Sequence, residues 1–177
     1  KLESAENLLF DQGVAVSSSE SCAIASHAAK AIIEKHSSES SDNASILPGL
    51  LPLVVRLDAI LTEAEMRAED LELNGGEHRI LGELFHASER TARAADCYRM
   101  ANQMDPEDSA SLRSLARIQR ESGDLDTLDR TLERLLITSP DDLEALAEQA
   151  AILVGSDDDR YDRNKTRLIA LGQPLAV

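Results

Sequence analysis

The sequence predicts an all-α chain built from antiparallel helix pairs, and three observations carry that prediction. Aromatic residues are 2% of the 177 residues, while hydrophobic residues reach 42%. A core made mostly of Leu, Ile and Ala suits closely packed helices better than a sandwich or barrel, which would lean on Val, Tyr, Phe and Trp. Asp105-Pro106-Glu107-Asp108 recurs as Ser139-Pro140-Asp141-Asp142, and Pro106 and Pro140 are 34 residues apart. A period of that length signals a repeat array. Finally, apolar residues such as Ile24, Ala28, Ala31 and Ile32 recur at helical spacing.

The N-terminal part reads as helices. Leu2 to Gln12 is a short amphipathic stretch, and Ser17 with Glu20 matches a capping box. The helix that follows is expected to end near His36, before a polar loop from Ser37 to Asn43. A long helix is expected from about Leu50 to Leu73, with Leu53, Leu57, Ile60, Leu61, Ala64, Ala68 and Leu71 on one face. Gly75-Gly76 is expected to stop it. Each recurring Pro motif reads as a helix start. Asp105 or Ser139 is the expected N-cap, the Pro takes the first helical position, and carboxylates meet the positive end of the dipole.

Between the prolines, Leu81, Gly82, Phe85, Ala94, Tyr98, Ala101 and Pro106 alternate large and small residues, and this stretch resembles the tetratricopeptide repeat. His78 departs from the family pattern, standing where a Trp or another large apolar group is usual. Leu112, Leu115, Ala116, Gly123, Leu128, Leu132, Leu135 and Pro140 fill the frame of a second, degenerate copy. There Gln119 replaces an aromatic residue, and Leu128 and Leu135 replace Ala. Leu146, Ala150 and Leu153 begin a third copy that Ser156-Asp157-Asp158-Asp159 interrupts, and Tyr161 to Leu171 reads as a terminal helix.

The resemblance spans residues 75–155 and implies a right-handed α-solenoid with an N-terminal helical cap. Residues 1–74 are the N-terminal helical region, either a cap or diverged repeats. Residues 75–158 are the repeats, and 159–177 a C-terminal capping helix and tail.

A net charge of −15 makes nucleic acid and anionic lipid surfaces poor partners. The longest apolar stretch, Ile46 to Val55, contains Pro48, Gly49 and Pro52 and is too short to insert in a bilayer. Cys22 and Cys97 show no metal-type spacing and are expected to be free, buried thiols. This leans towards a cytoplasmic rather than a periplasmic setting. The chain lacks an initiator Met and is expected to be a fragment or a processed form.

No catalytic motif stands out, so an enzyme and a cofactor are not expected. His78 and His86 lie about 12 Å apart along one helix, too far to share a metal. Asp157-Asp158-Asp159 with Asp162 lacks the central Gly and closing Glu of a calcium loop and reads as a helix cap.

In the family, the first helix of each pair lines a concave face that some members use to bind peptides. The resemblance therefore places Arg79, Glu83, His86 and Ala87 inward in the first copy, and Arg113, Arg117, Arg120 and Glu121 in the second. Arg113, Arg117 and Arg120 share one helical stripe. Two readings stand: these arginines bind carboxylates of a protein or peptide partner, or they pair with internal carboxylates such as Glu83, Glu121 or Glu144. The family's carboxylate clamp uses Lys and Asn residues that are not reproduced here. The leading expectation is a non-catalytic interaction scaffold that takes a partner segment, an acidic one by this logic. The alternatives are a helical repeat domain of a larger enzyme or of a secretion or assembly component that positions a neighbouring domain, and a self-associating structural repeat.

Overall fold

The computed structural model describes residues 18–38, 43–156 and 158–173, with side chains from 22 onward except 43–48. The expected helix at Leu2–Gln12, the Ser17–Glu20 capping box, most of the expected polar loop and Leu175-Ala176-Val177 lie outside the described residues. Eight helices occur among those described. They are α1 (Ser18–Ser38), α2 (Asn43–Glu63), α3 (Gly75–Ala87), α4 (Thr91–Met104), α5 (Ser109–Ser122), α6 (Leu125–Thr138), α7 (Leu143–Ile152) and α8 (Asp159–Ala170), with a short 3-10 turn at Ala68–Asp70. The chain is all-α, with each helix packed on the next of its pair: α1 on α2, α3 on α4, α5 on α6 and α7 on α8. Short links force the partners of a pair antiparallel. Two compact units result, Lys1–Asp105 and Pro106–Val177. Among the described residues, no helix is long and apolar enough to cross a membrane.

In the first unit α3 packs on α1 and α2 as well as on α4. The buried stripe of α1 is Ala25, Ala28, Ala29, Ile32 and Ile33. It is rotated from the expected face, and Ile24 and Ala31 are only half-buried. Helix α2 starts earlier and ends earlier than expected, and it runs through Pro48 and Pro52. Pro52 is exposed, so its ring points away from the packed face. Ala68 and Leu71 are buried, as their apolar character requires, but outside the helix.

The helix ends where Glu65 adopts a left-handed φ of 52°. The Met66 N–H donates to Leu61 O and the Glu65 N–H to Thr62 O, which is a Schellman stop. Gly75-Gly76 does not end this helix; it opens the next one. Asn74 caps α3 by accepting from the Glu77 N–H, while Glu77 accepts from the Asn74 N–H. Gly75 is needed at that start because a Cβ there would come within 3.3 Å of Ala101 O.

The Pro motifs also differ from expectation. Asp105 and Ser139 close α4 and α6 instead of opening the next helices. Pro106 and Pro140 follow them in turns, where a residue without an N–H readily ends a helix. The caps are Asp108, which accepts from the Ala110 and Ser111 N–H groups, and Asp142, which accepts from Ala145 N–H.

Packing in the two repeat-like pairs follows complementary volumes. A Cβ on Gly82 would lie 2.8 Å from the Tyr98 ring, so the glycine lets that ring lie flat against α3. Phe85 and Tyr98 are fully buried. His78 is also buried, and among the described residues neither ring nitrogen has a hydrogen-bond partner. Burial, opposed by Glu77, lowers its pKa, so a neutral imidazole fills the slot of a large apolar group. In the second unit Gln119 stands 34 positions after Phe85, and the lost aromatic volume returns as Leu128 and Leu135 on α6. These leucines form one core with Leu112, Ala116, Leu132 and Ala145.

Polar seams tie the helices of each unit together. Arg93 donates to Asp58 Oδ1 (3.0 Å), Met66 O (2.6 Å) and Thr62 Oγ1 (3.2 Å), joining α4 to α2 and its stop. In the second unit Gln149 donates to Asp129 Oδ1 (2.9 Å) and accepts from Asn164 (2.9 Å), while Arg160 bridges Asp129 and Asp158.

Two stability predictions follow from this packing. Gly82→Ala should cost about 1–3 kcal/mol through overpacking, read as a lower melting temperature. Adding Tyr98→Leu, the combination present at Ala116 and Leu132, should recover part of the loss; a double variant no more stable than Gly82→Ala would contradict the interlock. Glu65→Gly should stabilise by about 1 kcal/mol, because glycine adopts the left-handed conformation without the Cβ penalty. An unchanged or lower denaturation midpoint would count against this.

Candidate functional site

The structure puts the expected inward residues in two separate settings. Arg79, on α3, donates to Glu83 Oε1 at 2.9 Å across one helical turn. His86, on the same helix, is half-buried. Both belong to the first unit.

Arg113, Arg117 and Arg120 line one wall of a cleft in the second unit. The opposite wall is Asp142 with Glu144 and Glu148 of α7, and the floor is Ala116, Leu132, Leu135 and Ala145. The cleft holds about 240 Å³. That is below the ~300–1,000 Å³ of ordinary small-molecule sites and suits a side chain or two of a longer ligand.

Each arginine is held differently. Arg113 Nε donates to Asp142 Oδ2 at 2.6 Å. Asp142 meanwhile caps α7 through Oδ1, which accepts from Ala145 N–H at 3.0 Å. Burial pushes the Asp142 carboxyl up, but the Ala145 amide and the Arg113 guanidinium outweigh it, and its pKa is lowered. Arg120 is shared by Glu144 at 3.2 Å and Glu148 at 3.4 Å. Burial raises the pKa of Glu148, with Arg120 opposing and Glu144 adding to the rise. Arg117 is exposed and makes no ion pair or hydrogen bond among the described residues.

Internal pairing is therefore realised at Arg79, Arg113 and Arg120, and Arg117 differs from all three. Of the carboxylates on the far wall, only Glu144 is among the internal partners expected from the sequence. Asp142 and Glu148 are not, because their approach to α5 depends on how neighbouring helices align. The signal for Asp142 was its place as an N-cap, which holds it at the mouth of α7 beside Arg113.

Other chemistry is sparse. No group of three or more His, Cys, Asp or Glu side chains among the described residues could hold a metal. Asp158 caps α8 by accepting from Arg160 N–H; Asp157 lies outside the described residues. Cys22 and Cys97 are free thiols. Cys97 is buried, and burial first, then Asp96, pushes its thiol up to about 12, so it stays protonated and unreactive. Cys22 is half-buried and donates to Asp70 O at 2.7 Å.

No family model matches the chain, and no curated protein does. Among solved structures, the crystal structure of MamA is similar over 84% of this chain and 88% of that one, with 14% identity and a TM-score of 0.49. No residue correspondence follows at that level.

Asp142 supplies a test of the cleft wall. Asp142→Ala should cost about 1 kcal/mol or more through the lost cap, whereas Asp142→Asn keeps the cap and loses the charge. Because the folded pKa is lowered, the carboxylate's stabilisation is complete above its ordinary value. It is lost as pH falls below about 4 through the folded value. Denaturation midpoints should therefore fall less steeply with acid in Asp142→Asn than in the parent; parallel curves would contradict the ion pair.

Proposed function

We propose that the protein is a non-catalytic interaction scaffold that holds a segment of a protein partner in the cleft between α5 and α7. Arg117 carries this reading. Among the described residues it is an unpaired, always-charged guanidinium lining a cleft with an apolar floor, in a chain whose net charge is −15. Such an acidic protein has a carboxylate available for every arginine, and the neighbours Arg113 and Arg120 are paired. Leaving one donor fork open at the cleft provides a contact for a carboxylate of a partner. Arg113 can share that contact, because its side chain remains half exposed while its Nε is bound to Asp142. Arg79, Glu83 and His86 on α3 are proposed as further partner contacts in the first unit.

Pairing of Arg113 determines which variant is cleanest. Arg113→Glu would set a carboxylate against the nearly buried Asp142 and disturb the α7 cap, whereas Arg117→Glu leaves every described ion pair in place. In affinity capture from the source organism's lysate, Arg117→Glu should reduce recovery of the bound partner about tenfold or more. Helicity and melting temperature should stay at parent values. Undiminished capture by a folded Arg117→Glu protein would remove the groove assignment.

A further inference from the structure

We infer that His78 makes the first unit acid-sensitive: a proton gained by its buried imidazole loosens α3 from the helices packed on it, while the second unit keeps its packing. This does not depend on the groove reading above.

His78 lies on α3, which packs against α1, α2 and α4, and its side chain is fully buried. Neither ring nitrogen has a hydrogen-bond partner among the described residues. A neutral imidazole meets this with one desolvated donor and one desolvated acceptor. An imidazolium has two donors and a full charge, and a buried charge without an acceptor is far more costly. Position adds to the cost. His78 is the fourth residue of α3, and its backbone N–H closes the first turn on Asn74 O at 2.9 Å. A cation in the first turn meets the positive end of the helix dipole.

The surroundings compensate little. Among the described residues of α1, α2 and α4 no acidic or basic side chain is buried, and the buried polar ones are Ser26 and Asn102. The titratable groups buried there are the Cys97 thiol, which stays protonated, and the Tyr98 phenol, neither a source of negative charge near neutral pH. The half-buried basic groups are Lys30, Lys35 and His36 of α1, Arg56 of α2 and Arg93 of α4. The half-buried carboxylates are already engaged, Asp58 of α2 by Arg90 and Arg93 and Asp96 of α4 by Arg99. Of the charged groups, Glu77 on α3 itself acts on the ring, and it also accepts from the Asn74 N–H. Burial outweighs that attraction, so the pKa of His78 is lowered.

The sign of the pH dependence follows. With the folded value below the ordinary one, the packing around His78 is at full strength above about pH 6.5 and weakens as pH falls below it. In the second unit the sign is reversed. Burial raises the pKa of Glu148, so the folded unit takes up a proton more readily than the unfolded chain and gains stability on mild acidification. The lowered carboxylates there, Asp142 and Asp158, act only below about pH 4. Mild acid therefore works on the two units in opposite directions. The helix that loosens is the one that carries Arg79 and Glu83.

The test is hydrogen exchange of the full chain, read by mass spectrometry at about pH 7.5 and about pH 5 and corrected for the pH dependence of the exchange chemistry. Protection of α3 and α4 should fall severalfold at the lower pH, and that of α5, α6 and α7 should not. His78→Phe fills the slot with an apolar ring, and His78→Gln keeps a neutral polar group that takes up no proton. In both variants the pH dependence of α3 and α4 should disappear, whatever happens to their absolute protection. The parent's own ring gives a reading that needs no variant. Its imidazole 15N shifts should pass to the doubly protonated pattern over the pH range in which protection falls. The inference is overturned if α3 and α4 are equally protected at both pH values, or if both units lose protection alike. Persistence of the pH dependence in a folded variant, or a ring that stays neutral while α3 loosens, overturns it as well.

Discussion

The structure depends on a fit of small residues against large ones within each helix pair. With so few aromatic residues, no deep apolar slab is available, and helices must approach closely to exclude water. Gly82 beneath Tyr98 sets that approach in the first unit. The second unit reaches it by another route. Ala116 replaces the glycine, Leu132 replaces the ring, and Leu128 and Leu135 take up volume that an aromatic residue at position 119 would have filled. Total volume is redistributed across the pair, and cores tolerate such exchanges far better than a change on one side alone.

Close packing also brings polar side chains of successive helices together, and this chain joins them mainly with arginine. Arg93 holds Asp58, the end of α2 and a main-chain carbonyl at once. Arg160 joins Asp129 to Asp158 around the buried Gln149–Asn164 contact. The planar guanidinium can serve several acceptors from one position, which an ammonium does less well. The Arg93–Asp58 and Arg160–Asp129 pairs are only 20%/18% and 23%/20% exposed, so desolvation offsets part of their attraction; their effect is on alignment. Arg113 and Arg120 belong to the same scheme, and that is why Arg117, between them on one stripe and unpaired among the described residues, stands apart.

A glycine suggests the end of a helix, and at Gly123 and Gly172 left-handed residues do end α5 and α8. Glu65 and Glu89 adopt the same left-handed conformation and end α2 and α3 with the same pair of hydrogen bonds. Nothing in a glutamate announces this, because burial of the following chain, with Met66 inside, holds it there. The prolines differ in the opposite sense. Asp105-Pro106 and Ser139-Pro140 have the composition of a helix start. The helices nonetheless begin after Asp108 and Asp142, whose side chains reach the free amides.

By itself, then, the sequence determined the all-α class, the period, the large and small packing positions and the stripe of Arg113, Arg117 and Arg120. These follow from local periodicity and side-chain size, which are written along the chain. It could not decide which arginines are already paired. Arg113 meets Asp142 and Arg120 meets Glu144 and Glu148 across distances of 24 to 29 residues. Only the alignment of α5 with α7 selects those partners and leaves Arg117 without one among the described residues. Tertiary structure thus paired Arg113 and Arg120 of the stripe with carboxylates across the cleft. The reason is that charge compensation depends on separation in space, which helical spacing along one element does not contain.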